Sequence, residues 1–350
     1  MKAVEKYYSI HNIVNFKVVN SAQFLDKFLP FWDIELRDFE SRQEVEPDFT
    51  VFLGKFSASS SDCLILDDRF YIKEDYLYCS DSYKWAKWHL LMYGFNGGNM
   101  EVCISANPFA WLLLADFIIN PLIWFKLNEK GYAIVHGSGV VRDGRAYVFA
   151  GRGAAGKTTI ALNLVERGFK LLGDHFVILS KDAVLGFLTP LHIADFNLTP
   201  FIKKRMETRH RVFFRIDQLG RRLTGLQFGT KISPKTMFPD STEDKAKLHS
   251  VYLLLPREKL KVGKISKEEL IAHMVANQKL ESIPFMKYMM EYSYLFPRSS
   301  FAAYWERYEQ NLSQALGVAE GCYRVEVPPK YYSATLERIF KVLVDEGHTI

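Results

Sequence analysis

The sequence predicts an α/β protein with a mixed sheet, preceded by a β-rich N-terminal part. Residues 1–105 alternate short β-rich runs with turn signals, whereas the rest of the chain alternates apolar strands with segments of helical period. A length of 350 residues also allows two domains of about 100–200 residues each. We therefore expect a β-rich accessory domain over residues 1–105 and an α/β core over residues 106–350.

The composition is that of a globular protein and excludes a disordered, collagen-like or coiled-coil chain. Hydrophobic residues make up 48% and charged residues 24%, so apolar surface is available to offset the entropy of ordering the chain. The formal net charge is only +5, an excess that does not by itself indicate a nucleic-acid-binding protein. We expect no nucleic acid among the partners.

The cysteines indicate neither a zinc ribbon nor a disulfide framework. The four of them occur without a CxxC pair or His-rich spacing, which is typical of buried thiols in a reducing compartment. The first residues contain no apolar run of the kind that a secretory signal requires. The sequence therefore predicts a cytoplasmic location.

Strands are predicted in the N-terminal part at residues 7–19, 49–56, 63–66 and 69–79. Residues 64–68, LILDD, form an apolar run that ends in two carboxylates, as do many magnesium-binding strands. Because this run precedes any glycine-rich loop, and because Asp favours turns, a hairpin turn is the better interpretation.

One apolar segment is almost long enough to cross a bilayer. Residues 108–127 read PFAWLLLADFIINPLIWFKL, close to the roughly 20 residues that a spanning helix needs. Asp116, Asn120 and Pro121 argue against a span, since a mid-span carboxylate costs about 2.5–3.5 kcal/mol and proline breaks a helix. We expect two short buried helices kinked at Pro121, and no membrane span.

A hairpin is predicted next, followed by a strand, a loop and a helix. Apolar residues 133–135 and 139–141 flank His136-Gly137-Ser138, and Asp143-Gly144 is a strong hairpin-turn dipeptide before the strand 146–150. From Lys157 the period becomes helical until Gly168, a favourable residue just after a helix end, and residues 169–172 begin a new strand.

The remaining chain reads as mixed α/β. Thr199-Pro200 is a helix start, and residues 266–269 form a capping box. Strands are predicted at residues 251–255 and 322–327, and helices at residues 301–316 and 334–344.

The glycine-rich segment carries the clearest chemistry. Residues 151–158 read GRGAAGKT, which fits the pattern GxxxxGK[ST] of phosphate-binding loops between a strand and a helix. Its glycines allow a tight turn in which backbone N–H groups and the helix N-terminus surround phosphate oxygens. The predicted nucleotide-binding residues are Gly151, Arg152, Gly153, Ala154, Ala155, Gly156, Lys157 and Thr158, with Thr159 beside them on the helix surface.

Two of these side chains have specific roles in this interpretation. We expect Lys157 to bridge the β- and γ-phosphates and the Thr158 hydroxyl to bind Mg²⁺, which keeps several waters and few protein oxygens.

The same glycines also satisfy a dinucleotide-binding fingerprint. Gly151, Gly153 and Gly156 make GxGxxG, and Asp174 lies about twenty residues further on. The immediately following Lys157-Thr158, the preceding hairpin and the mid-chain position favour the phosphate loop.

A carboxylate to accompany the loop is found at Asp174. No apolar strand further downstream ends in aspartate, whereas Asp174 lies at a turn in residues 169–179, FKLLGDHFVIL. We therefore expect Asp174 to lie on the strand adjacent to the loop.

Residues 133–179 resemble the HPr kinase/phosphorylase superfamily and its relative, ATP-dependent phosphoenolpyruvate carboxykinase. The shared features are a His-Gly segment, a hairpin, a strand entering GxxxxGK[ST], a helix, and a strand that reaches an aspartate pair. The similarity is greatest to HPr kinase-related small kinases of biosynthetic gene clusters, whose Lys-rich segment and apolar strand resemble residues 231–239 and 250–255. It covers residues 110–260 well and 320–345 loosely, and implies a phosphoenolpyruvate carboxykinase-like P-loop core.

The resemblance implies roles for individual residues. Gly151, Gly156, Lys157 and Thr158 would hold nucleotide phosphates and metal. Asp174 matches the family's first aspartate and would be the general base that takes the proton from an acceptor hydroxyl. His136 would face the transferred phosphoryl group as a donor, so the expected catalytic residues are Asp174, His136 and Lys157.

The chain departs from the family pattern in two places. His175 stands where the family has its second aspartate, which removes one negative charge from the metal site, although His175 remains a candidate ligand beside Thr158 and Asp174. The C-terminal signature that engages HPr is not found, so HPr itself is not the expected partner.

A basic segment follows the loop. Residues 201–222 contain eight Lys or Arg and two acidic residues, a local charge of +6. This pattern fits either a solvated helix face or a site for an anionic acceptor or nucleotide. Candidate anion- or substrate-binding residues are Arg205, Arg209, Arg211, Lys231 and Lys235.

The sequence thus predicts an ATP-dependent kinase that uses Mg²⁺, or Mn²⁺ in its place, and phosphorylates a hydroxyl of a small molecule or of a seryl peptide. The alternatives are a nucleotide-binding regulatory protein without turnover and a dinucleotide-binding oxidoreductase. A homo-oligomer is compatible with the sequence.

Overall fold

The computed structural model describes residues 4–21, 35–97, 99–195, 197–224, 230–328, 336–337 and 340–341. These residues form a mixed α/β protein whose larger sheets contain both parallel and antiparallel strand pairs. The fold class predicted from the sequence is confirmed at this level.

The chain divides into two compact units. Unit 1 comprises Met1–Gly131 and Ser282–Tyr308, and unit 2 comprises Tyr132–Glu281 and Glu309–Ile350. The compact units therefore do not follow the predicted boundary between residues 105 and 106.

The difference arises from aromatic packing within unit 1. Phe117, in the apolar segment 108–127, lies against Tyr83 and Trp88 of the β-rich part. Phe125 from the same segment packs against Phe301. Neither pairing is visible as a sequence pattern, because it joins residues distant along the chain.

Unit 1 contains one sheet of nine described strands. In chain order they are β1 (Val4–Ile10), β2 (Val14–Asn20), β3 (Glu40–Ser41), β4 (Phe49–Leu53), β5 (Leu64–Leu66), β6 (Phe70–Lys73), β7 (Tyr76–Tyr83), β8 (Ala86–Tyr93) and β9 (Met100–Ala106). Their spatial order is β3-β1-β2-β4-β9-β8-β7-β6-β5. The pairs β2–β4 and β4–β9 are parallel, and the others are antiparallel.

The predicted hairpin at residues 64–68 is present. Asp67 and Asp68 both have φ 51°, in the left-handed region that a tight turn requires, and they join β5 to β6. Residues 7–19, predicted as one β-rich run, form most of a second hairpin, β1–β2.

The helices are distributed over the whole chain. They are α1 (Asn120–Glu129), α2 (Lys157–Glu166), α3 (Pro200–Arg205), α4 (Thr208–Thr224), α5 (Pro234–Met237), α6 (Lys267–Glu281), α7 (Ile283–Leu295) and α8 (Tyr304–Gly317).

The apolar segment 108–127 forms short helical pieces, but there are three of them and the helical backbone continues through Pro121, where a kink was expected. A 3₁₀ turn at Ala110–Leu112 and a π-helical turn at Ala115–Ile119 precede α1, and Pro121 lies in the first turn of α1. Within the described part of the chain, every helix is too short or too polar to cross a membrane.

Unit 2 contains a larger mixed sheet and a small two-stranded one. Its strands are β10 (Ala133–Arg142), β11 (Arg145–Ala150), β12 (Lys170–Gly173), β13 (Phe176–Leu179), β14 (Val184–Gly186), β15 (Leu191–Ile193), β16 (Thr230–Ile232), β17 (Lys245–Pro256), β18 (Lys261–Lys264) and β19 (Gly321–Val327). The main order is β11-β10-β13-β14-β17-β19-β18, with β12 paired to β10 and β11 also paired in parallel to β17. The strands β15 and β16 pair with each other.

The local signals that frame the glycine-rich segment are confirmed. Asp143 and Gly144 have φ 52° and 73° and turn β10 into β11. Helix α2 begins at Lys157 and is followed by Gly168 at φ 89°, as expected for a residue just after a helix end. Its buried residues Ile160 and Leu164 belong to a hydrophobic core that also contains Phe149 and Tyr252.

The downstream elements agree with prediction within a few residues. The Thr199 hydroxyl caps α3 by accepting from the N–H of Ile202 at 3.2 Å, and the Ser266 hydroxyl accepts from the N–H of Glu269 at 3.1 Å at the start of α6. The predicted strands 251–255 and 322–327 lie in β17 and β19, and the predicted helix 301–316 corresponds to α8. The predicted helix 334–344 lies mostly outside the described residues.

Candidate functional site

The glycine-rich segment forms a tight loop between β11 and α2. Gly151 has φ 153°, Ala154 63° and Gly156 89°, so three positions adopt left-handed backbone conformations. A Cβ on Gly151 would lie 2.7 Å from the carbonyl oxygen of Leu254, and therefore only glycine fits there without a shift of backbone. The loop is closely packed at its base, while Arg152, Gly153 and Ala154 are exposed.

Lys157, the first residue of α2, folds back over this loop. Its Nζ donates to the carbonyl oxygens of Gly151 and Arg152 at 2.8 and 2.9 Å. Burial lowers the pKa of Lys157 to about 8, although the carboxylates of Asp174 and Glu281 act in the opposite direction. A buried ammonium held at the mouth of a loop is suited to pair with an anion.

Asp174 lies in the two-residue turn between β12 and β13. Both strands pair with β10, so the turn lies beside Gly137 and Ser138, and the N–H of Gly137 donates to the carbonyl oxygen of His175 at 3.0 Å. The strand β12 is not a neighbour of β11, because β10 lies between the two. The Asp174 turn lies near the loop because both adjoin Gly137 of β10. Gly137 is paired with Ala150, the last residue before the loop, and its N–H bonds the turn.

The Asp174 carboxylate connects the loop helix to β10. The hydroxyl of Thr158 donates to both of its oxygens, at 2.9 and 3.0 Å, and the hydroxyl of Ser138 donates to Oδ1. Asp174 is 7% exposed. A nearly buried carboxylate whose neighbours are hydroxyl groups and the Lys157 ammonium can accept a proton or bind a hard cation.

His136 is also buried, and its ring is paired with Glu281 at the end of α6. The Nδ1 atom of His136 lies 2.8 Å from Oε1 of Glu281. Burial lowers the pKa of His136, and the nearby Lys157 adds to that effect, while Glu281 opposes it. Because an ionised carboxylate only accepts, Nδ1–H of the neutral imidazole is the donor to Glu281, and Nε2 carries no proton. The donor role toward a phosphoryl group that the resemblance implies for His136 would therefore require the protonated ring.

Two further residues complete this side of the site. The amide nitrogen of Asn277, one turn before Glu281 on α6, donates to the carbonyl oxygen of Gly151 at 3.3 Å. Arg152 lies 3.4 Å from Oε1 of Glu281. Burial by itself raises the pKa of Glu281, but its contact with His136 and the charges around it outweigh that effect and leave the pKa below its usual value.

His175 completes the turn with φ 76°, an unusual left-handed conformation for a non-glycine residue. Its ring lies 4.9 Å from that of His136, centre to centre. Loss of hydration around the ring is the main cause that lowers the pKa of His175, and the Lys157 ammonium acts in the same direction. Much of the His175 side chain nevertheless remains exposed to solvent. Both imidazoles are therefore neutral at neutral pH.

The structure thus brings together the sequence-predicted residues His136, Lys157, Thr158, Asp174 and His175. Sequence reasoning missed Ser138, Asn277 and Glu281, which touch them. Ser138 lies two residues after His136, which the sequence singled out. The pairing of β10 with β12 and β13 places Ser138 beside the Asp174 turn. Glu281 and Asn277 had no comparable signal, because the capping box at Ser266 predicts a helix but not the strand against which that helix packs.

The basic candidates are distributed over other elements of unit 2. Arg205 lies over the rings of Phe201 and Phe238, and Arg209 pairs with Glu207 at 2.6 Å. Arg211 donates to the backbone carbonyl of Met206 at 2.9 Å. Lys231 lies in β16 and Lys235 in the short helix α5.

Gly173 controls the position of Asp174, and we expect its replacement by alanine to destabilise the fold. A Cβ there would lie 2.6 Å from the carbonyl oxygen of Phe176 and within 3.3 Å of the backbone of Phe187, and backbone cannot rotate away. Gly173→Ala should lower the free energy of unfolding by about 1–3 kcal/mol. Denaturant titration measures this loss.

Gly263→Ala is the matched control for Gly173→Ala. Gly263 lies in a strand of the same unit, and an added Cβ would meet no atom within 4 Å. Equal stabilities for the two variants would contradict the steric account of the Asp174 turn.

The fold and site define a mixed α/β chain with a strand, a glycine-rich loop and a helix, beside which a carboxylate and two imidazoles converge. No protein-family model matches the chain, and no curated protein matches it either. A solved structure to which it is similar is the Hpr(Ser) kinase/phosphatase from Coxiella burnetii, at 15% identity and a TM-score of 0.24. The likeness covers 42% of this chain and 97% of that one.

Proposed function

We propose that this chain is an ATP-dependent kinase that transfers the γ-phosphoryl group to a hydroxyl of a small molecule or of a seryl peptide. The observation that carries the proposal is the convergence of Lys157, Thr158 and Asp174 at one glycine-rich loop. Each supplies a different requirement of phosphoryl transfer: charge neutralisation, a metal-binding oxygen and a proton acceptor. The sequence resemblance to the HPr kinase/phosphorylase superfamily, which includes these same residues, agrees with the proposal.

The loop fits the phosphates of a nucleotide. In this proposal the backbone N–H groups of residues 151–156 and the N-terminus of α2 bind phosphate oxygens. The Lys157 ammonium, which now bonds the carbonyl oxygens of Gly151 and Arg152, exchanges one of these bonds for the β- and γ-phosphates. Its burial strengthens that interaction, because charge pairs are less screened away from water.

The residues beside the loop also fit Mg²⁺. The Thr158 hydroxyl and the Asp174 carboxylate are hard oxygen ligands that already lie within 3.0 Å of each other. Bound there, Mg²⁺ or Mn²⁺ would neutralise charge on the transferred phosphoryl group.

Asp174 is the proposed general base for the acceptor. The hydroxyls of Ser138 and Thr158 fix its orientation from two sides, so one lone pair of the carboxylate can be aimed at an incoming hydroxyl. Taking the proton of that hydroxyl raises its nucleophilicity toward the γ-phosphorus, while positioning supplies most of the acceleration.

The strand pairing favours a kinase over a dinucleotide-binding oxidoreductase. In the dinucleotide fold the strand before the loop and the strand after the helix are parallel neighbours. Here β10 lies between β11 and β12 and runs antiparallel to both. Asp174 also accepts from Thr158 in the helix that follows the loop, whereas the fingerprint needs an acidic residue at the ribose.

A labelled-acceptor experiment tests the proposal. The full chain is incubated with Mg²⁺, γ-labelled ATP and pools of hydroxyl metabolites and seryl peptides, and the species that acquires label is isolated. We expect one acceptor class to be labelled. Binding of ATP without label transfer to any acceptor would instead favour the regulatory alternative, and binding of NAD without ATP would favour the oxidoreductase.

The lowered pKa of Lys157 predicts a pH dependence of nucleotide binding. An ammonium with a pKa of about 8 is partly deprotonated at pH 8, and a bound polyphosphate favours the charged form. Nucleotide binding should therefore take up protons near pH 8, and affinity should fall as the pH rises through that value. Calorimetry in buffers of different ionisation enthalpy measures the uptake, and a buffer-independent heat at pH 8 would contradict it.

A further inference from the structure

We propose that helix α4 binds this chain to the surface of an anionic lipid bilayer. The helix exposes an apolar strip, here called the α4 strip, formed by Val212, Phe213, Ile216 and Leu219, which are between 49% and 62% exposed. Single exposed apolar residues are ordinary, but four on one helix form a patch that indicates an interaction site. The inference does not rest on nucleotide binding, because none of the four residues belongs to the glycine-rich loop.

The α4 strip lies on the side of the helix opposite to the side that packs on unit 2. Phe214 is buried in the hydrophobic core of unit 2, and Nε2 of Gln218 donates to Oδ1 of Asp195 at 2.5 Å. Phe214 and Gln218 are four residues apart and so share one side of the helix. With about 3.6 residues per turn, the α4 strip is centred on the other side. The fold therefore holds α4 along one side and leaves its apolar side in solvent.

Basic side chains lie beside the α4 strip. Arg211 and Arg215 are exposed and, being four residues apart, follow one of its edges. Arg211 also donates to the carbonyl oxygens of Met206 at 2.9 Å and Lys204 at 3.3 Å, which keeps the end of α3 next to the start of α4. Lys203 and Lys204 at that end are exposed. An apolar strip with lysine and arginine beside it is typical of helices that lie in the headgroup region of a membrane.

The charge of this region indicates an anionic partner. Residues 201–222 carry a local charge of +6, so a second copy of the chain on the same strip would bring two positive segments together. The anionic surface of a bilayer attracts lysine and arginine, and the boundary between its headgroups and acyl chains accepts apolar side chains. A bilayer also needs no complementary shape, whereas a protein partner needs a groove fitted to the strip.

Flotation of the full chain with lipid vesicles tests the proposal. We expect binding to vesicles of phosphatidylcholine and phosphatidylglycerol in equal parts, little binding to phosphatidylcholine alone, and weaker binding at higher salt. The double substitution Phe213→Ser and Ile216→Ser should lower the partition coefficient at least about tenfold, because two large apolar side chains no longer enter the bilayer. Arg215→Gln should lower it about fivefold at low salt.

The double substitution Met290→Ser and Tyr294→Ser is the matched control. These two residues are 63% and 78% exposed on another helix, α7, and their loss should leave the partition coefficient unchanged. Equal weakening by the two double variants would overturn the proposal, because binding would then not be specific to the α4 strip. Equal binding to both vesicle compositions would also overturn it.

A measurement on the wild-type chain guards against variants that fail to fold. Hydrogen exchange in residues 208–219 should slow when the anionic vesicles are added, because a bound helix opens less often. Absence of vesicle binding, or unchanged exchange in α4, would overturn the proposal. An acidic amphipathic peptide that bound in place of the vesicles would assign the α4 strip to a protein partner, and a dimer dissociated by the Phe213 and Ile216 substitutions would assign it to a second copy. None of these outcomes bears on phosphoryl transfer, which is measured with ATP and without lipid.

Discussion

Replacing Lys157 with methionine is expected to reduce phosphoryl transfer by on the order of 10²–10³-fold and to weaken ATP binding. Methionine keeps much of the apolar stem that the buried lysine packs with, but it removes the charge that we assign to the β- and γ-phosphates. It also leaves the carbonyl oxygens of Gly151 and Arg152 without this donor. Steady-state kinetics and ATP titration together measure the two losses.

Lys170→Met is the matched control for Lys157→Met. Lys170 is an exposed lysine on β12 that pairs with Glu243 at 2.9 Å, so its loss should leave transfer unchanged. Thermal unfolding of both variants separates a loss of function from a loss of fold. A folded Lys157→Met chain with wild-type turnover would show that the loop is not a phosphate site.

Replacing Asp174 with asparagine is expected to separate binding from transfer. The asparagine oxygen still accepts from Thr158 and Ser138, so the local fold is kept, but an amide cannot take a proton. Transfer should fall by about 10²–10⁴-fold, the range of a general base. The ATP affinity, measured by titration, should stay within a few-fold of wild type.

Asp182→Asn is the control for this substitution, because Asp182 is exposed just beyond β13 and has no role in the proposed chemistry. If Asp174→Asn retained full transfer, Asp174 would be a structural link between Thr158 and Ser138 and not a base. If it lost ATP binding and transfer together, its main role would be in holding metal and nucleotide.

Much of unit 2 was predictable because its signals are local. The turn dipeptide Asp143-Gly144, the pattern GxxxxGKT and Gly168 each act within a few residues, and each occurs where expected. Strand pairing is not local in this sense. The position of β10 between β11 and β12 depends on which pairs of apolar strands pack best against each other. The sequence of a single strand does not specify its neighbours.

The same distinction explains the candidate site. His136, Lys157, Thr158 and Asp174 stand out because each belongs to a motif or adjoins one. Glu281 reaches the site only because α6 packs against β10, a tertiary contact between segments far apart in the chain. The compact units differ from the predicted boundary for a related reason, since Phe117 and Phe125 find their partners across long sequence separations.

The central claim is that the loop at residues 151–158 delivers a γ-phosphoryl group to a hydroxyl activated by Asp174. A single-turnover experiment, with wild-type protein in excess over γ-labelled ATP and the acceptor pool present, tests it most directly. The account predicts that the label moves to an acceptor hydroxyl in the wild-type chain and stays on ATP in Asp174→Asn. Label found only in inorganic phosphate, or equal transfer by both chains, would contradict it.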